Sequence, residues 1–163
     1  MRREAPIQMK TRKVKIVAGD IFAVPLSKRE ALYGYIRAYQ DPDIAILPII
    51  SREIIIDATD LTNLTSYEDV LTIRKPMESG EWPKVISIPF PDEDSSWPPP
   101  RKQVSEIRPD IRLVVSKGQF IPATAFGKFD ELPPLIKLNS ESLIERILEL
   151  SKNFKILNNH DSK

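Results

Sequence analysis

Cysteine is absent from the 163-residue chain, and histidine occurs once, at His160. The first absence removes disulfides, thiolate metal ligands and cysteine nucleophiles together. The second removes a Ser-His-Asp triad within the body of the chain, and any zinc site that needs more than one imidazole. Glycine is scarce as well, with 5 residues too scattered to form a phosphate cradle. No Walker loop, dinucleotide fingerprint or HExxH pattern is present. Long apolar runs are missing, so the sequence predicts neither a signal peptide nor a membrane span, and a cytoplasmic location is expected. Neither sign of charge dominates: 24 basic residues face 23 acidic ones, for a net charge of +1. A nucleic-acid partner is not expected from that balance, because phosphate neutralisation calls for a basic surface. The local basic stretch at Lys10, Arg12, Lys13 and Lys15 reads as a solvated strand edge.

Proline is plentiful, with 15 residues, which disfavours long helices and regular central strands. Short strands joined by stiff, extended connections are therefore expected. Residues 1–12 read as a flexible tail. Val14, Ile16 and Ala18 alternate with Lys13, Lys15 and Val17, a period of two that predicts a strand with one wet face. Gly19-Asp20 predicts a turn or bulge. Ile21 to Val24 is a continuous apolar run and predicts a strand buried on both faces. Ala31 to Tyr39 follows, with Leu32, Gly34, Ile36 and Ala38 on one face and Tyr33, Tyr35, Arg37 and Tyr39 on the other. Asp41-Pro42-Asp43 predicts a turn, and Ile44 to Ile50 another strand, with Pro48 marking an edge or bulge. Ile54 to Ile56 is a further candidate strand. Asp60 is placed as the cap of a helical turn through Leu64. Val70 to Ile73 and Lys84 to Ile88 predict short strands.

Residues 89–103 predict an extended loop, polyproline-like from Pro98 to Pro100. Ile111 to Val115 and Gln119 to Ala123 predict a hairpin across Lys117-Gly118. The clearest element is a helix over 141–155, where Leu143, Ile147, Leu150 and Phe154 recur at helical spacing. Ser142 with Glu145 fits a capping box, and Ser140 is the alternative cap. Short strands in a meander imply antiparallel pairing. The predicted fold class is α+β and mostly β: a strongly bent antiparallel sheet, or a partly open SH3-like barrel, with a C-terminal amphipathic helix. Residues 13–157 form its single domain, and 158–163 a second flexible tail.

Two features suit recognition of a protein. The Tyr33, Tyr35, Arg37, Tyr39 strand face is rich in residue types that dominate binding hot spots. The acidic run Asp92, Glu93, Asp94, with Trp97 beside it, offers charge to a basic partner and an aromatic anchor. Candidate partner-binding residues are thus Asp92, Glu93, Asp94, Trp97, Tyr35 and Arg37. The alternative for Trp97 is a position tucked under its own loop. Oxygen-ligated metal on the acidic run is disfavoured, since its spacing matches no calcium loop. No cofactor is expected.

Val17-Ala18-Gly19-Asp20-Ile21-Phe22-Ala23-Val24-Pro25-Leu26, followed by Tyr33-Gly34-Tyr35-Ile36-Arg37, resembles the opening of the immunity protein 26 family of bacterial polymorphic-toxin systems. Gly80-Glu81-Trp82-Pro83-Lys84-Val85-Ile86 and Trp97-Pro98-Pro99-Pro100-Arg101 are similar to later landmarks of that family. Leu138 to Ile147 fits its terminal helix. The resemblance implies a non-enzymatic module that neutralises a cognate toxin by direct contact. The departures are the connection from Ser27 to Leu32 and the hairpin around Gly118, neither of which matches the family pattern. The alternative is a small hydrolase of phosphotriester type, using carboxylates or a recruited metal.

Overall fold

The computed structural model describes residues 13–55 and 57–157. Both predicted tails lie outside the described residues, as does His160. The elements in chain order are β1 (Asp20–Pro25), β2 (Tyr33–Ala38), β3 (Asp43–Ser51), α1 (Ala58–Thr62), β4 (Glu68–Thr72), α2 (Lys75–Glu78) and β5 (Lys84–Ser87). They continue with β6 (Arg101–Val104), β7 (Arg112–Ser116), β8 (Gln119–Pro122), β9 (Lys137–Leu138), α3 (Ser140–Leu150) and β10 (Lys155–Leu157). The molecule is α+β and mostly β. Its larger sheet runs β5-β1-β2-β3-β4-β9, with β10 also on β3, and its smaller sheet is β6-β7-β8. The described residues form no closed barrel.

The centre of the larger sheet is the predicted meander. The apolar run of β1 is buried on both faces, with Ile21, Phe22, Ala23 and Val24 all at 0 % exposure. Burying the Ile21, Phe22 and Val24 side chains is worth about 1.5–3 kcal/mol each, so β1 is an internal strand from its composition. It pairs antiparallel with β2 and β5. Phe22, Val24, Ile36, Ile44 and Ile46 point to one face and pack with Leu143 and Ile147 of α3. Ile21, Ala23, Tyr35 and Leu47 point to the other, where Ile55 and Leu61 of the α1 region close over them.

Pro48 divides β3. Opposite Gly34 and Tyr35 the register jumps from Ile50 to Leu47, a bulge at the predicted position. Before it, Asp43 to Ile46 pair with β4; beyond it, Ile49 to Ser51 pair with β10. A proline has no N–H to give a ladder, so the break between the two partners falls there.

Several expectations are corrected. The sheet is mixed rather than wholly antiparallel, because β9 runs parallel to β4 and β10 parallel to β3. These two short strands flank α3 and lie on the same side of β3: β4, which carries β9, pairs with Asp43 to Ile46, and β10 with Ile49 to Ser51, while β2 holds the opposite side. Residues 14–18 form no strand: the Val14 N–H donates to the Glu78 carbonyl at 2.8 Å, and Ala18 already lies in the turn before β1. Ile54 and Ile55 form no strand, since the Ile55 N–H goes to the Tyr35 hydroxyl at 2.8 Å; Ile56 lies outside the described residues. Asp57, not Asp60, caps α1, accepting from the Thr59 N–H at 2.9 Å. Asn139, not Ser140 or Ser142, caps α3 through the Ser142 N–H at 2.7 Å. That helix stops at Leu150, and Phe154 reaches the core from extended backbone after a 3₁₀ turn.

Candidate functional site

The strand face and the acidic loop, distinct in the sequence, are one structure. Gly19 opens the way to β1 and takes the Ile88 N–H on its carbonyl at 3.0 Å. From Ile88 the chain runs across the end of β2. The Arg37 guanidinium donates to the Ile88 carbonyl and lies 3.7 Å from the centroid of the Phe90 ring. Tyr39 stacks on the same ring, centroids 5.4 Å apart at 15°. Gln40 then fixes the far end: its N–H reaches the Ser96 carbonyl, and its amide nitrogen the Ser96 hydroxyl, both at 3.0 Å. The loop is thus held on β2 at Phe90 and again at Ser96.

Between those anchors stands the acidic turn. The Asp92 carboxylate accepts the Ser95 N–H at 2.8 Å, and the Ser96 N–H closes on the Glu93 carbonyl at 3.0 Å. The bonds from Ser95, backbone first and hydroxyl second, hold the Asp92 carboxyl below the ordinary carboxylate range. Asp94 begins a single 3₁₀ turn, Asp94–Ser96, and pairs with Lys117 at 2.7 Å across to the β7–β8 turn. Both partners are exposed, so that pair contributes little stability, about 0–1 kcal/mol. Asp92, Glu93 and Asp94 all face solvent.

Trp97 is half-buried, and its indole lies against Gly118 of the β7–β8 turn. That turn is the predicted one: Lys117 and Gly118 both have positive φ, 49° and 75°, as a two-residue hairpin turn of the primed kind requires. A Cβ at position 118 would approach the indole to 3.0 Å, so the glycine leaves room for the ring.

Tyr35 does not belong to any contact surface. It is fully buried, its hydroxyl bonded to the Ser51 hydroxyl at 2.6 Å and to the Ile55 N–H. Burial raises its pKa, against the lowering effect of the Ser51 and Ile55 bonds. Arg37 is half-buried and supports the loop from beneath rather than standing free. Of the six predicted residues, the structure therefore gathers Asp92, Glu93, Asp94, Trp97 and Arg37 around one loop and withdraws Tyr35 into the core.

A second charged cluster has no obvious mark in the sequence. Asp43, at the start of β3, and Arg101, at the start of β6, pair at 2.9 Å with 3 % and 4 % of their side chains exposed. Desolvation raises the Asp43 pKa, opposed by the Arg101 charge. Arg74 lies alongside, donating to the carbonyls of Tyr39 at 2.8 Å and Asp43 at 3.3 Å. Among the described residues no group of three or more His, Asp or Glu side chains is placed to hold a metal ion. No helix among them is long and apolar enough to cross a membrane. Neither a protein family, nor a curated protein, nor a solved structure matches this chain.

Proposed function

We propose that the chain is a non-catalytic binding protein of immunity type, neutralising a bacterial toxin by direct contact in the cytoplasm, with the 92–97 turn in the contact surface. The supporting observation is that this acidic turn is anchored at both ends. Phe90 is clamped by Arg37 and Tyr39, while Ser96 and Trp97 are tied to Gln40 and Gly118. A rigid turn loses little conformational freedom on binding, and adjacent carboxylates on it steer a basic partner. A cleft that binds nucleic acid is such a partner surface, since it must be basic to hold phosphates. The sequence resemblance to immunity protein 26 supplies the toxin as partner.

The test starts with capture of the partner from the native host, followed by binding kinetics. Asp92→Asn, Glu93→Gln and Asp94→Asn are combined in one variant whose melting curve matches that of the parent chain. Association with the captured protein is expected to slow about tenfold at low salt and to converge with the parent at high salt. Equal association rates at both salt concentrations would overturn the role of the turn. Capture of no toxin would overturn the immunity reading.

A further inference from the structure

One stretch of chain, residues 133–138, is bonded to both sheets. On one side the Lys102 N–H of β6 donates to the Pro133 carbonyl at 2.9 Å, and the Leu135 N–H to the Lys102 carbonyl at 2.8 Å. On the other the Leu71 N–H of β4 donates to the Ile136 carbonyl at 2.8 Å. Both contacts are parallel. Backbone groups alternate sides along such a segment, so Leu135 and Lys137 turn theirs toward β6 and Ile136 toward β4. The strand β6 alternates likewise. Ser105 faces the β7 side, its N–H reaching the Ile111 carbonyl at 3.3 Å, so Lys102 and Val104 face residues 133–137. Continuing this parallel ladder would join the Val104 N–H to the Leu135 carbonyl and the Lys137 N–H to the Val104 carbonyl. Neither bond is made among the described residues: the two segments part after Lys102 and Leu135. They leave a gap of about 560 Å³, with Val104, Glu106 and Ile107 on one wall and Leu135 and Lys137 on the other.

An open strand edge is a template for another strand, and main-chain bonds supply the affinity when one is added. This edge is within reach of a partner, since Val104 is 44 % exposed and Ile107 90 %. The shape of the gap selects the occupant. It closes at the Lys102–Pro134 bridge, so it admits a single extended segment. It excludes the edge of a second copy, whose own Val104 is recessed in the same way. Charge selects further. Two lysines, Lys102 and Lys137, line the gap against one glutamate, Glu106. Lys102 gives its ammonium only a neutral acceptor, the Asp130 carbonyl at 3.3 Å, and its charge is left for a carboxylate. Val104 and Ile107 offer aliphatic contact beside it. We propose that this gap receives an extended peptide of a partner protein, of net negative charge and carrying aliphatic side chains, whose backbone completes the β6 edge at Val104. This inference is independent of the acidic turn and of any toxin.

The probe is a phage-displayed library of random peptides, about ten residues long, panned on the full chain; the enriched peptides are then synthesised with blocked ends. They are expected to be acidic and aliphatic, and to slow hydrogen exchange at the Val104 amide about tenfold when bound, as followed by NMR. Val104→Pro deletes that N–H, which faces away from β7, so the β6–β7 ladder keeps its bonds and the peptides are expected to bind about tenfold more weakly. Should proline disturb β6, the same bond is removed from the other partner. Methylating backbone nitrogens of the peptide at alternate positions keeps its side chains and is expected to weaken binding to the parent chain by about the same factor. Enrichment of basic peptides, or of none, would overturn the proposal. So would binding that leaves Val104 exchange unchanged or that tolerates methylation at every position. A Val104 amide already protected in the chain alone would overturn it too, by assigning the edge to a second copy or to the chain's own termini.

Discussion

At the scale of single residues, Gly19 shows what local chemistry can announce. Gly-Asp after an alternating segment predicts a turn or bulge, and Gly19 has φ +104°, a conformation that disfavours any side chain. Space forbids one as well. A Cβ there would fall 2.5 Å from the Ile88 carbonyl oxygen and 2.9 Å from the Pro89 Cα, both backbone atoms. Gly19→Ala must move the strand that leads into the acidic loop, and it is expected to cost about 2–3 kcal/mol. Urea unfolding measures this directly, and a loss below about 0.5 kcal/mol would contradict the stated geometry. Tyr35 shows the opposite case. Alternation placed it correctly on a face with Arg37 and Tyr39, but period two cannot say which face another part of the chain will cover. The cover comes from Leu61, Leu64 and Ile54, far along the sequence and without a periodic signal of their own.

Elements were legible in proportion to their length and to the strength of their ends. The β7–β8 hairpin was readable because Lys117-Gly118 sits between two apolar runs, and only a few residue types accept positive φ. The helix α3 was readable from Leu143 and Ile147, yet its end was not, because Phe154 keeps a helical spacing while lying on extended backbone. The strands β9 and β10 are two and three residues long, too short to show any period. They exist because α3 brings them to the open edges of β4 and β3. The hairpin also carries a testable consequence for the acidic loop. Gly118→Val adds a branched side chain where the Trp97 indole now lies, at a φ of +75°. The variant is expected to lose about 1–2 kcal/mol and to expose Trp97, shifting its fluorescence to longer wavelength. Trp82, at 2 % exposure, belongs to the core of the larger sheet and serves as the internal reference. An unshifted spectrum would mean that the hairpin does not hold the loop.

For the molecule as a whole, the question is what joins the two sheets. One such joint is the Asp43–Arg101 pair, and nothing in the sequence pairs an aspartate in a turn with an arginine after a proline run. At 3 % and 4 % side-chain exposure both ions have surrendered their water, and the carboxylate oxygen facing Arg101 makes an ion contact without an aligned hydrogen bond. Desolvation therefore outweighs attraction, which is why the Asp43 pKa lies above its ordinary value despite the neighbouring cation. A carboxyl with a raised pKa binds its proton more tightly in the folded chain than in the unfolded one. Its contribution to stability is full below the unfolded pKa, about 3.9, and is lost as pH rises through the folded pKa. In urea titrations across that window, the parent chain is expected to lose stability with rising pH relative to Asp43→Asn, which cannot ionise. The same imbalance predicts the outcome of removing both charges. Asp43→Leu combined with Arg101→Met leaves no buried ion at this joint, and is expected to be neutral or stabilising by about 1–4 kcal/mol at neutral pH. Arg101→Met alone is expected to push the Asp43 pKa further up and to steepen the loss with pH, because it removes the larger of the two cationic influences that favour the carboxylate, the other being Arg74. A double variant that unfolds more readily than the parent by over about 1 kcal/mol would show that attraction, not desolvation, governs this joint between the sheets.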